Sequence, residues 1–196
     1  HSFPTRRSSD LGVCTIVMDA GIDTGDVVLS RTEPIRDDDD AATLAARLAE
    51  LGGPLLAESC VLLHEGRAPR TPQDRAAGSY AKKLKKQDGV ADWTLPARVV
   101  WSHARAVTPW PGATTMFRGK RVLIVRSRPE PGGGDAAPGT LLGSDEQGLR
   151  VACGEGVLRV TRLKPEGRAE LDAAEWARGA RIQPDERFEH LKEQTT

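Results

Sequence analysis

The sequence lacks the features of a membrane, secreted or metal-dependent protein. No run approaches the roughly 18 apolar residues that span a bilayer, and the first eleven residues lack the apolar centre of a secretory signal. The three cysteines are far apart and form no Cys-x-x-Cys pair, and no histidine stands at ligand spacing from another histidine or a cysteine. We therefore expect a cytosolic protein with no metal, no membrane contact and reduced cysteines that serve as packing residues.

The sequence also lacks a net charge, but its charges are unevenly distributed. Residues 1–74 carry 7 basic and 13 acidic side chains, and residues 129–196 carry 9 and 13. Residues 75–128 carry 12 basic side chains against 2 acidic ones. Such a basic block is typical of a surface that binds a polyanion, although a solvated face without a partner has the same composition.

The first eleven residues, HSFPTRRSSDL, differ in character from the rest of the chain. They have no apolar period, and their content of Ser, Arg and Pro suits disorder. We interpret residues 1–11 as a foreign segment, a sequencing or assembly artefact in place of the natural upstream sequence.

Residues 12–68 have the pattern of the end of an α/β domain. Two runs rich in β-branched residues, 13–18 and 27–32, flank the loop Asp19-Ala20-Gly21-Ile22-Asp23-Thr24-Gly25-Asp26 and predict two strands. Leucines at helical spacing predict a helix over residues 41–51.

Four aspartates precede this helix, and a Gly-Gly-Pro sequence comes after it. Asp39 or Asp40 is a natural N-cap, and capping accounts for the aspartates better than a cation site does. Gly52-Gly53-Pro54 predicts a break, after which a second helix runs to Gly66.

The rest of the chain predicts a linker and a mainly β domain. Residues 69–87 are rich in Pro, Arg, Gly and Lys and predict a basic linker, residues 88–190 predict a small barrel of the OB type, and residues 191–196 form a tail. Five strand-like runs are separated by turn signals: residues 113–117, 121–126, 140–142, 149–153 and 157–163.

Two helices flank these five strands. Residues 95–107 predict the first, with one apolar stripe made of Leu95, Val99, His103 and Ala106. Residues 171–178 predict the second, with Gly179 after its end. The four tryptophans, Trp93, Trp101, Trp110 and Trp176, stand in helix, turn or core-like contexts, so core packing is favoured over base stacking for each.

The strings DAGIDTGD, YAKKLKKQDGVADW, RAVTPWPGATT, PGTLL and GLRVACGEGVLRV occur in this order and are followed by an acidic helix. In this arrangement the chain from Gly12 to about Phe188 resembles the methionyl-tRNA formyltransferase family. The resemblance implies an α/β + β fold, in which a truncated Rossmann-like formyltransferase domain precedes a small OB-like β-barrel domain. It also implies transfer of a formyl group from the cosubstrate 10-formyltetrahydrofolate to the α-amine of initiator Met-tRNA, in a monomer.

The resemblance assigns roles within the loop between the two strands. Asp23 matches the catalytic aspartate of the family, and Asp19, Gly21, Ile22, Thr24 and Gly25 match its folate-binding loop. The catalytic Asn and His of the family lie farther upstream than the 22 residues before Asp23 allow, and His64 and His103 match no catalytic position. We therefore expect the chain to be inactive alone.

The basic block gains a candidate partner from the same resemblance. We expect tRNA phosphates to be bound by basic residues of the linker and the barrel, namely Lys82, Lys83, Lys85, Lys86, Arg105, Arg118, Lys120 and Arg121. Arg126 and Arg128 extend this positive field.

Two other functions fit part of the pattern. Formyltransferases acting on nucleotide-linked amino sugars and folate-dependent hydrolases share the loop, although the lysine cluster argues against both. The chain could also be a non-catalytic RNA-binding OB module. Whichever function is correct, we expect the barrel to be the stable part of the chain, because the α/β remnant would expose sheet edges and apolar faces.

Overall fold

The computed structural model describes residues 10–74, 76, 78, 81–132, 135–183 and 185–189. It divides the chain into two compact units, His1–Lys83 and Leu84–Thr196, and this boundary lies inside the predicted linker. Of the predicted foreign segment, residues 1–9 lie outside the described residues, as does the predicted tail. Asp10 and Leu11 belong to the first strand, where they pair with Pro34 and Glu33.

Unit 1 consists of a two-stranded antiparallel sheet and one long helix. Strand β1 (Asp10–Ile16) pairs with β2 (Val27–Pro34), and helix α1 (Ala41–His64) packs against both strands. The two predicted strands are therefore confirmed.

The predicted break between two helices is wrong, because α1 is one continuous helix of 24 residues with Pro54 inside it. Proline removes one helical hydrogen bond and clashes with the Cβ of the residue before it, but Gly53 has no Cβ. The buried residues of α1, Leu55 and Ser59, both come after the proline on one face, and the Ser59 hydroxyl lies 2.6 Å from that of Thr15. Packing of this second half maintains the helix across Pro54.

The start of α1 agrees with the sequence prediction. The Asp40 carboxylate accepts hydrogen bonds from the main-chain N–H groups of Ala42 and Thr43, and the Thr43 hydroxyl accepts one from the Asp40 N–H. This reciprocal arrangement is a capping box. Asp40 is therefore the N-cap.

Unit 2 is built on a six-stranded antiparallel sheet with two α-helices. After a 3-10 helix at Lys86–Gly89, its elements are α2 (Ala97–Ala106), β3 (Ala113–Phe117), β4 (Lys120–Glu130), β5 (Leu141–Asp145), β6 (Gly148–Ala152), β7 (Val157–Pro165), β8 (Leu171–Asp172) and α3 (Ala173–Ala180). The sheet order is β3-β4-β7-β6-β5, and β8 pairs with β7. The five predicted strands are present.

Two details at the end of unit 2 differ from the prediction. Strand β8 has only two residues, too few for a recognisable period, and was not predicted. Helix α3 starts two residues later than predicted, capped by Asp172, and includes Gly179. Its C-cap is Arg181, which adopts the left-handed conformation common at helix ends, so the predicted end before Gly179 is wrong.

The two edges of this sheet are joined by residues Glu186–Glu189, which we call the closing segment. Main-chain hydrogen bonds link Met116 of β3 to Glu189 in both directions, at 3.0 and 2.9 Å. On the opposite edge, Leu141 N–H donates to Glu186 O, and Phe188 N–H donates to Gly139 O. The order of an α/β part followed by a mainly β part is confirmed, and the predicted barrel is a sheet whose two edges are bridged by this segment.

The core of unit 2 is centred on four aromatic rings. Phe117, Trp176 and Phe188 contact one another, and Trp93 stacks on Phe188 with ring centroids 5.6 Å apart. The core prediction is confirmed for Trp93, Trp101 and Trp176, which are buried. It is wrong for Trp110, which lies in the loop between α2 and β3 and is 53% exposed.

Helix α2 turns a different face to the core from the one expected. Its buried residues are Ala97, Val100, Trp101 and Ala104, whereas Leu95 and Val99 of the predicted stripe are exposed. The bulky Trp101 side chain is buried and sets the face of α2 that contacts the core. The predicted stripe is displaced from this face by one residue and therefore points toward solvent.

The cysteines differ in burial. Cys153 is buried and Cys14 is half-buried, but Cys60 is exposed, so the packing prediction is wrong for Cys60. Cys60 comes directly after the buried Ser59 on α1 and is rotated off the face that contacts the strands. Within the described residues, no helix has the length and apolar character needed to cross a membrane.

Candidate functional site

The loop between β1 and β2 is held in shape by its own polar groups. Val17 N–H donates to Asp26 O at 3.0 Å across its base. One carboxylate oxygen of Asp19 accepts hydrogen bonds from Gly21 N–H at 2.9 Å and from the Thr24 hydroxyl at 2.5 Å. The predicted folate residues Asp19, Gly21 and Thr24 are therefore brought together, and Asp19 orders the loop.

The two predicted folate-binding glycines are required by the loop itself. A Cβ added at Gly25, which is buried, would lie 1.7 Å from the carbonyl oxygen of Val17. A Cβ at Gly21 would lie 2.1 Å from the Thr24 hydroxyl oxygen. Any larger residue at Gly25 must move main chain, which makes this the more demanding position.

Asp23 lies at the exposed turn of the loop with a φ of 55°. Aspartate is one of the few residues besides glycine that adopts this left-handed conformation readily. The Gln73 side-chain amide donates to Asp23 O at 3.0 Å and to Gly25 O at 2.6 Å. Gln73 was missed by sequence reasoning, because it lies about fifty residues downstream in the predicted linker.

The loop carries an exposed carboxylate and two exposed apolar side chains. Ile22 is 91% exposed beside Asp23, and Met18 at the start of the loop is 88% exposed. This arrangement can orient a proton-carrying group through Asp23 and contact a flat apolar ligand through Ile22. A carboxylate of this kind acts as a base or as an orienting group.

The two histidines in the described part of the chain occupy structural positions. His64 is the last residue of α1. His103 on α2 has its Nε2 atom 2.6 Å from the carbonyl oxygen of Asp88. Within the described residues, no group of three or more His, Cys, Asp or Glu side chains is placed to hold a metal ion.

The four predicted lysines are all exposed and stand on both sides of the unit boundary. Lys82 and Lys83 end unit 1. Lys85 N–H donates to the Asp88 carboxylate at 2.6 Å, and Lys86 begins the 3-10 helix. This turn packs closely on the loop after α2, since a Cβ on Gly89 would lie 2.3 Å from the Gly112 carbonyl oxygen.

Two of the predicted arginines are engaged inside unit 2. Arg118 makes two hydrogen bonds to the Glu186 carboxylate, at 2.6 and 2.7 Å, and a third to Ala180 O. The Arg118 guanidinium lowers the pKa of Glu186 below its ordinary value. Arg105 stacks on the Trp101 ring at 3.9 Å from its centroid. Lys120 and Arg121 are exposed.

A second arginine group on the sheet is balanced by acids. Arg128, Arg159 and Arg150 are neighbours on β4, β7 and β6, and all three approach the Glu130 carboxylate. Arg159 is nearly buried and also pairs with Asp145, whose pKa its side chain lowers. Because two carboxylates offset two of these three positive charges, Arg128 contributes less to the predicted positive field than a lysine without an acidic neighbour would.

A cavity of about 350 Å³ lies beside the loop after α2. Its charged lining residues are Arg121, Lys164 and Glu166, and Pro111, Thr114 and Leu123 supply most of the rest. A larger cavity, of about 580 Å³, lies between β5 and α3, where Arg178 and Arg181 are part of the lining. The 3-10 helix reaches the wall of the smaller cavity at its last residue, because a Cβ on Gly89 would lie 3.1 Å from the side chain of Pro111, which lines that cavity.

Comparison with known proteins shows which protein family this chain resembles. The formyl transferase C-terminal domain model matches residues 83–181. The chain is 39% identical over 176 residues to a methionyl-tRNA formyltransferase of Citrifermentans bemidjiense, covering 90% of this chain and 55% of that protein. It is 43% identical over 182 residues to one of Anaeromyxobacter sp. (strain K), covering 88% and 56%. The chain thus spans about half the length of these relatives.

A solved structure shares the fold. HypX from Aquifex aeolicus, in complex with tetrahydrofolic acid, has a TM-score of 0.64 and 22% identity, over 86% of this chain and 30% of that one. The domain match covers half of the chain, and the two relatives extend along about nine-tenths of it. The chain belongs to the formyl transferase family.

Proposed function

We propose that this chain is the C-terminal part of a methionyl-tRNA formyltransferase. The whole enzyme transfers a formyl group from 10-formyltetrahydrofolate to the α-amine of initiator Met-tRNA, as a monomer in the cytosol, at the start of translation. The observation that carries the proposal is the similarity to methionyl-tRNA formyltransferases along about nine-tenths of the chain, which includes both the Asp23 loop and the lysine segment.

The reaction is an acyl transfer, and Asp23 has the position to serve it. The attacking amine must be neutral, the tetrahedral intermediate carries an oxyanion, and the departing folate nitrogen needs a proton. An exposed carboxylate held on a clamped loop can orient a partner imidazole or water and help to carry that proton. Gln73 holds the main chain on both sides of Thr24 and so acts as a positioning residue for Asp23.

Folate is the proposed cosubstrate of this loop. The loop offers the exposed Ile22 as an apolar contact and the exposed turn at Asp23 beside it. A protein of the same fold, HypX, is known in complex with tetrahydrofolic acid. No metal enters this proposal.

The chain by itself should not catalyse the reaction. Related enzymes use an asparagine and a histidine together with the aspartate, and this sequence contains no asparagine at all. His103 is bonded to the Asp88 carbonyl group, and His64 ends α1. Formylation of Met-tRNA by the purified chain, above a blank without protein, would contradict this expectation.

The activity that this chain can retain is tRNA binding. Lys82, Lys83, Lys85 and Lys86 are exposed, and a basic surface that meets phosphates releases counterions on binding. Binding of initiator tRNA to the purified chain should therefore weaken steeply as salt is raised. Fluorescence anisotropy of labelled tRNA over a series of salt concentrations measures both the affinity and its salt slope.

A pair of fourfold variants tests the location of this surface. Replacing the four lysines by alanine should lower the slope of log K against log salt by up to roughly 3, from about 0.7 to 0.9 for each phosphate that a lysine neutralises. The matched control replaces Arg31, Arg67, Arg162 and Arg178 by glutamine, which removes the same charge from ion-paired or remote exposed positions. An equal weakening in the two variants would show that only net charge matters.

The alternatives differ in their ligands. An RNA-binding module would bind tRNA with no affinity for a folate, whereas an amino-sugar formyltransferase would bind a folate and a nucleotide-linked sugar but not tRNA. Calorimetric titration of the chain with 5-formyltetrahydrofolate and with tRNA separates the three cases.

A further inference from the structure

Trp110 is the exception among the aromatic residues of unit 2. Within the described part of the chain it is the sole exposed aromatic ring, at 53%, while Trp93, Trp101 and Trp176 are at most 9% exposed. An indole left in water forgoes the stabilisation that burial of a large apolar surface provides. A flat ligand stacked on the indole would supply the cover that the described part of the protein does not.

The loop that carries Trp110 is firmly held. Gly112 N–H donates to Val107 O at 2.8 Å, and the Thr108 hydroxyl donates to Ala104 O at 2.8 Å. Gly112 has a φ of +83°, and a Cβ there would lie 2.5 Å from the Leu123 side chain. The main chain that carries the indole is thus fixed, so only the side-chain torsions of Trp110 have to be ordered when a flat ligand stacks on it.

The 350 Å³ cavity adjoins this loop. Pro111, the chain neighbour of Trp110, is part of its wall, and Arg121 and Lys164 supply two positive charges. Glu166 offsets one of these two charges. Its carboxylate also accepts a hydrogen bond from the main-chain N–H of Arg121. An aromatic face next to an apolar cavity with basic residues suits a nucleotide, since the base stacks and the phosphate meets the cations.

We propose that Trp110 and this cavity form a subsite for one unpaired nucleotide of a bound RNA. The base stacks on the Trp110 indole, and its phosphate is bound by Arg121 and Lys164. A paired base cannot use this site, because both of its faces are covered in a duplex. The subsite extends the proposed tRNA-binding function from phosphate contacts at the lysines to recognition of a single-stranded position, and it rests on that function for the identity of the RNA.

The test uses the full chain with two probes, a short single-stranded oligoribonucleotide and the same strand annealed to its complement. The single strand should quench the fluorescence of the exposed tryptophan, and the duplex should not. Trp110→Ala should weaken single-strand binding by roughly 5- to 100-fold, the range for loss of one stacked base. Trp110→Phe, which keeps an aromatic face, should retain most of the affinity.

The cations are tested separately. Lys164→Gln and Arg121→Gln should each weaken binding of the single strand, and the double variant should lower its salt slope by roughly 0.7, because both side chains bind the same phosphate. The matched control, Arg178→Gln, removes one charge from the wall of the other cavity and should leave both quantities unchanged. Thermal unfolding followed by the three buried tryptophans checks that each variant is folded.

The outcomes separate this proposal from the function it extends. Single-strand binding by folded Trp110→Ala at the wild-type affinity, or equal quenching by the duplex, overturns the subsite. If tRNA binding is abolished in the lysine variant but unchanged in Trp110→Ala, the tRNA function stands and the subsite does not. If the oligonucleotide depends on Trp110 while tRNA does not bind, the subsite stands and the tRNA function does not. Binding of neither RNA overturns both.

Discussion

The two units of this chain are stabilised in different ways. Within the described residues, Val28 and Leu55 are the two buried hydrophobic residues of unit 1, whereas every other buried hydrophobic residue belongs to unit 2. Burial of apolar surface is the main favourable term in folding, so unit 2 has a continuous source of stability that unit 1 lacks. The comparison indicates that the stability of unit 1 depends on polar contacts to a much greater degree than the stability of unit 2 does.

Those polar contacts are concentrated at the start of α1. Asp39 is only 5% exposed and forms two hydrogen bonds with the Arg47 guanidinium, which also donates to Glu33 at 2.6 Å. Arg36 N–H donates to the same Asp39 carboxylate at 2.7 Å. Asp39 is thus shielded from water although few apolar side chains are buried in this unit. The cluster is sensitive to pH and to removal of one partner, because the remaining charge is left poorly solvated.

The largest effect is expected in the apolar unit. Phe188→Ala should destabilise unit 2 by about 3–5 kcal/mol, the usual loss for a buried phenylalanine, because the ring contacts Trp93, Phe117 and Trp176. Denaturant unfolding followed by tryptophan fluorescence measures it, since all four tryptophans lie in unit 2. Leu95→Ala, at an exposed position, is the control. Faster amide exchange in α1 of the Phe188 variant would show that the two units unfold together and would break the comparison.

A smaller but pH-dependent effect is expected in unit 1. The Arg47 guanidinium holds the pKa of Asp39 far below its usual range, so this pair stabilises unit 1 above the ordinary carboxyl pKa of about 3.9. The contribution is lost as the pH falls through the lowered value. Arg47→Met should therefore accelerate amide exchange in α1 at neutral pH, and the difference from wild type should shrink below about pH 4.

The control for this prediction is Arg31→Met, which removes a pair with Glu58 in which both side chains are half exposed. Exposed pairs of this kind contribute about 0–1 kcal/mol, so little change is expected. A difference between Arg47→Met and wild type that is equally large at neutral and acid pH would exclude the Asp39 charge as its source.

Matched helix caps sharpen the comparison further. Asp40 caps α1 in unit 1, and Asp172 caps α3 in unit 2, each through two main-chain N–H groups. Replacing either residue by alanine should cost about 1 kcal/mol. Each substitution should raise exchange of the slowest amides of its own unit by a similar factor, about fivefold for 1 kcal/mol, but the rates should stay higher in α1, because unit 1 starts from a lower stability. Equal rates in the two units would indicate similar stabilities.

The smallest expected effect concerns reactivity, with no change in stability. Burial raises the pKa of the Cys153 thiol to about 11, whereas Cys60 on α1 is exposed. At neutral pH an alkylating reagent should modify Cys60 first, half-buried Cys14 next and Cys153 last, because the thiolate is the reactive form. Peptide mass spectrometry over time gives the order. Denaturant should remove the differences, and rapid labelling of native Cys153 would contradict its burial.

Much of the fold can be predicted from local sequence signals. The strands of unit 2 were predicted within a few residues because charged and glycine turns end them, as at Arg118-Gly119, where both residues have positive φ. The caps at Asp40 and Asp172 are equally local. The loop around Asp23 and the lysine segment are recognisable because each is a short continuous string.

The features that were missed depend on residues far apart in the chain. Continuity of α1 through Pro54 depends on packing of Ser59 against Thr15, 44 residues away. The pairing of Arg118 with Glu186, 68 residues downstream, is a contact that the basic block does not predict. The exposure of Trp110 depends on the placement of the loop between α2 and β3. No local period carries information of this kind.

The closing segment has a consequence for synthesis of the protein on the ribosome. Glu189 pairs with β3, and its carbonyl oxygen accepts from Thr115, 74 residues earlier in the chain. Strands β3 to β7 can emerge and pair in order, but both edges of the sheet stay unpaired until residues 186–189 have left the exit tunnel. During that interval the nascent chain exposes two edges and the cleft that Phe188 fills, the state in which growing chains recruit chaperones or associate with one another.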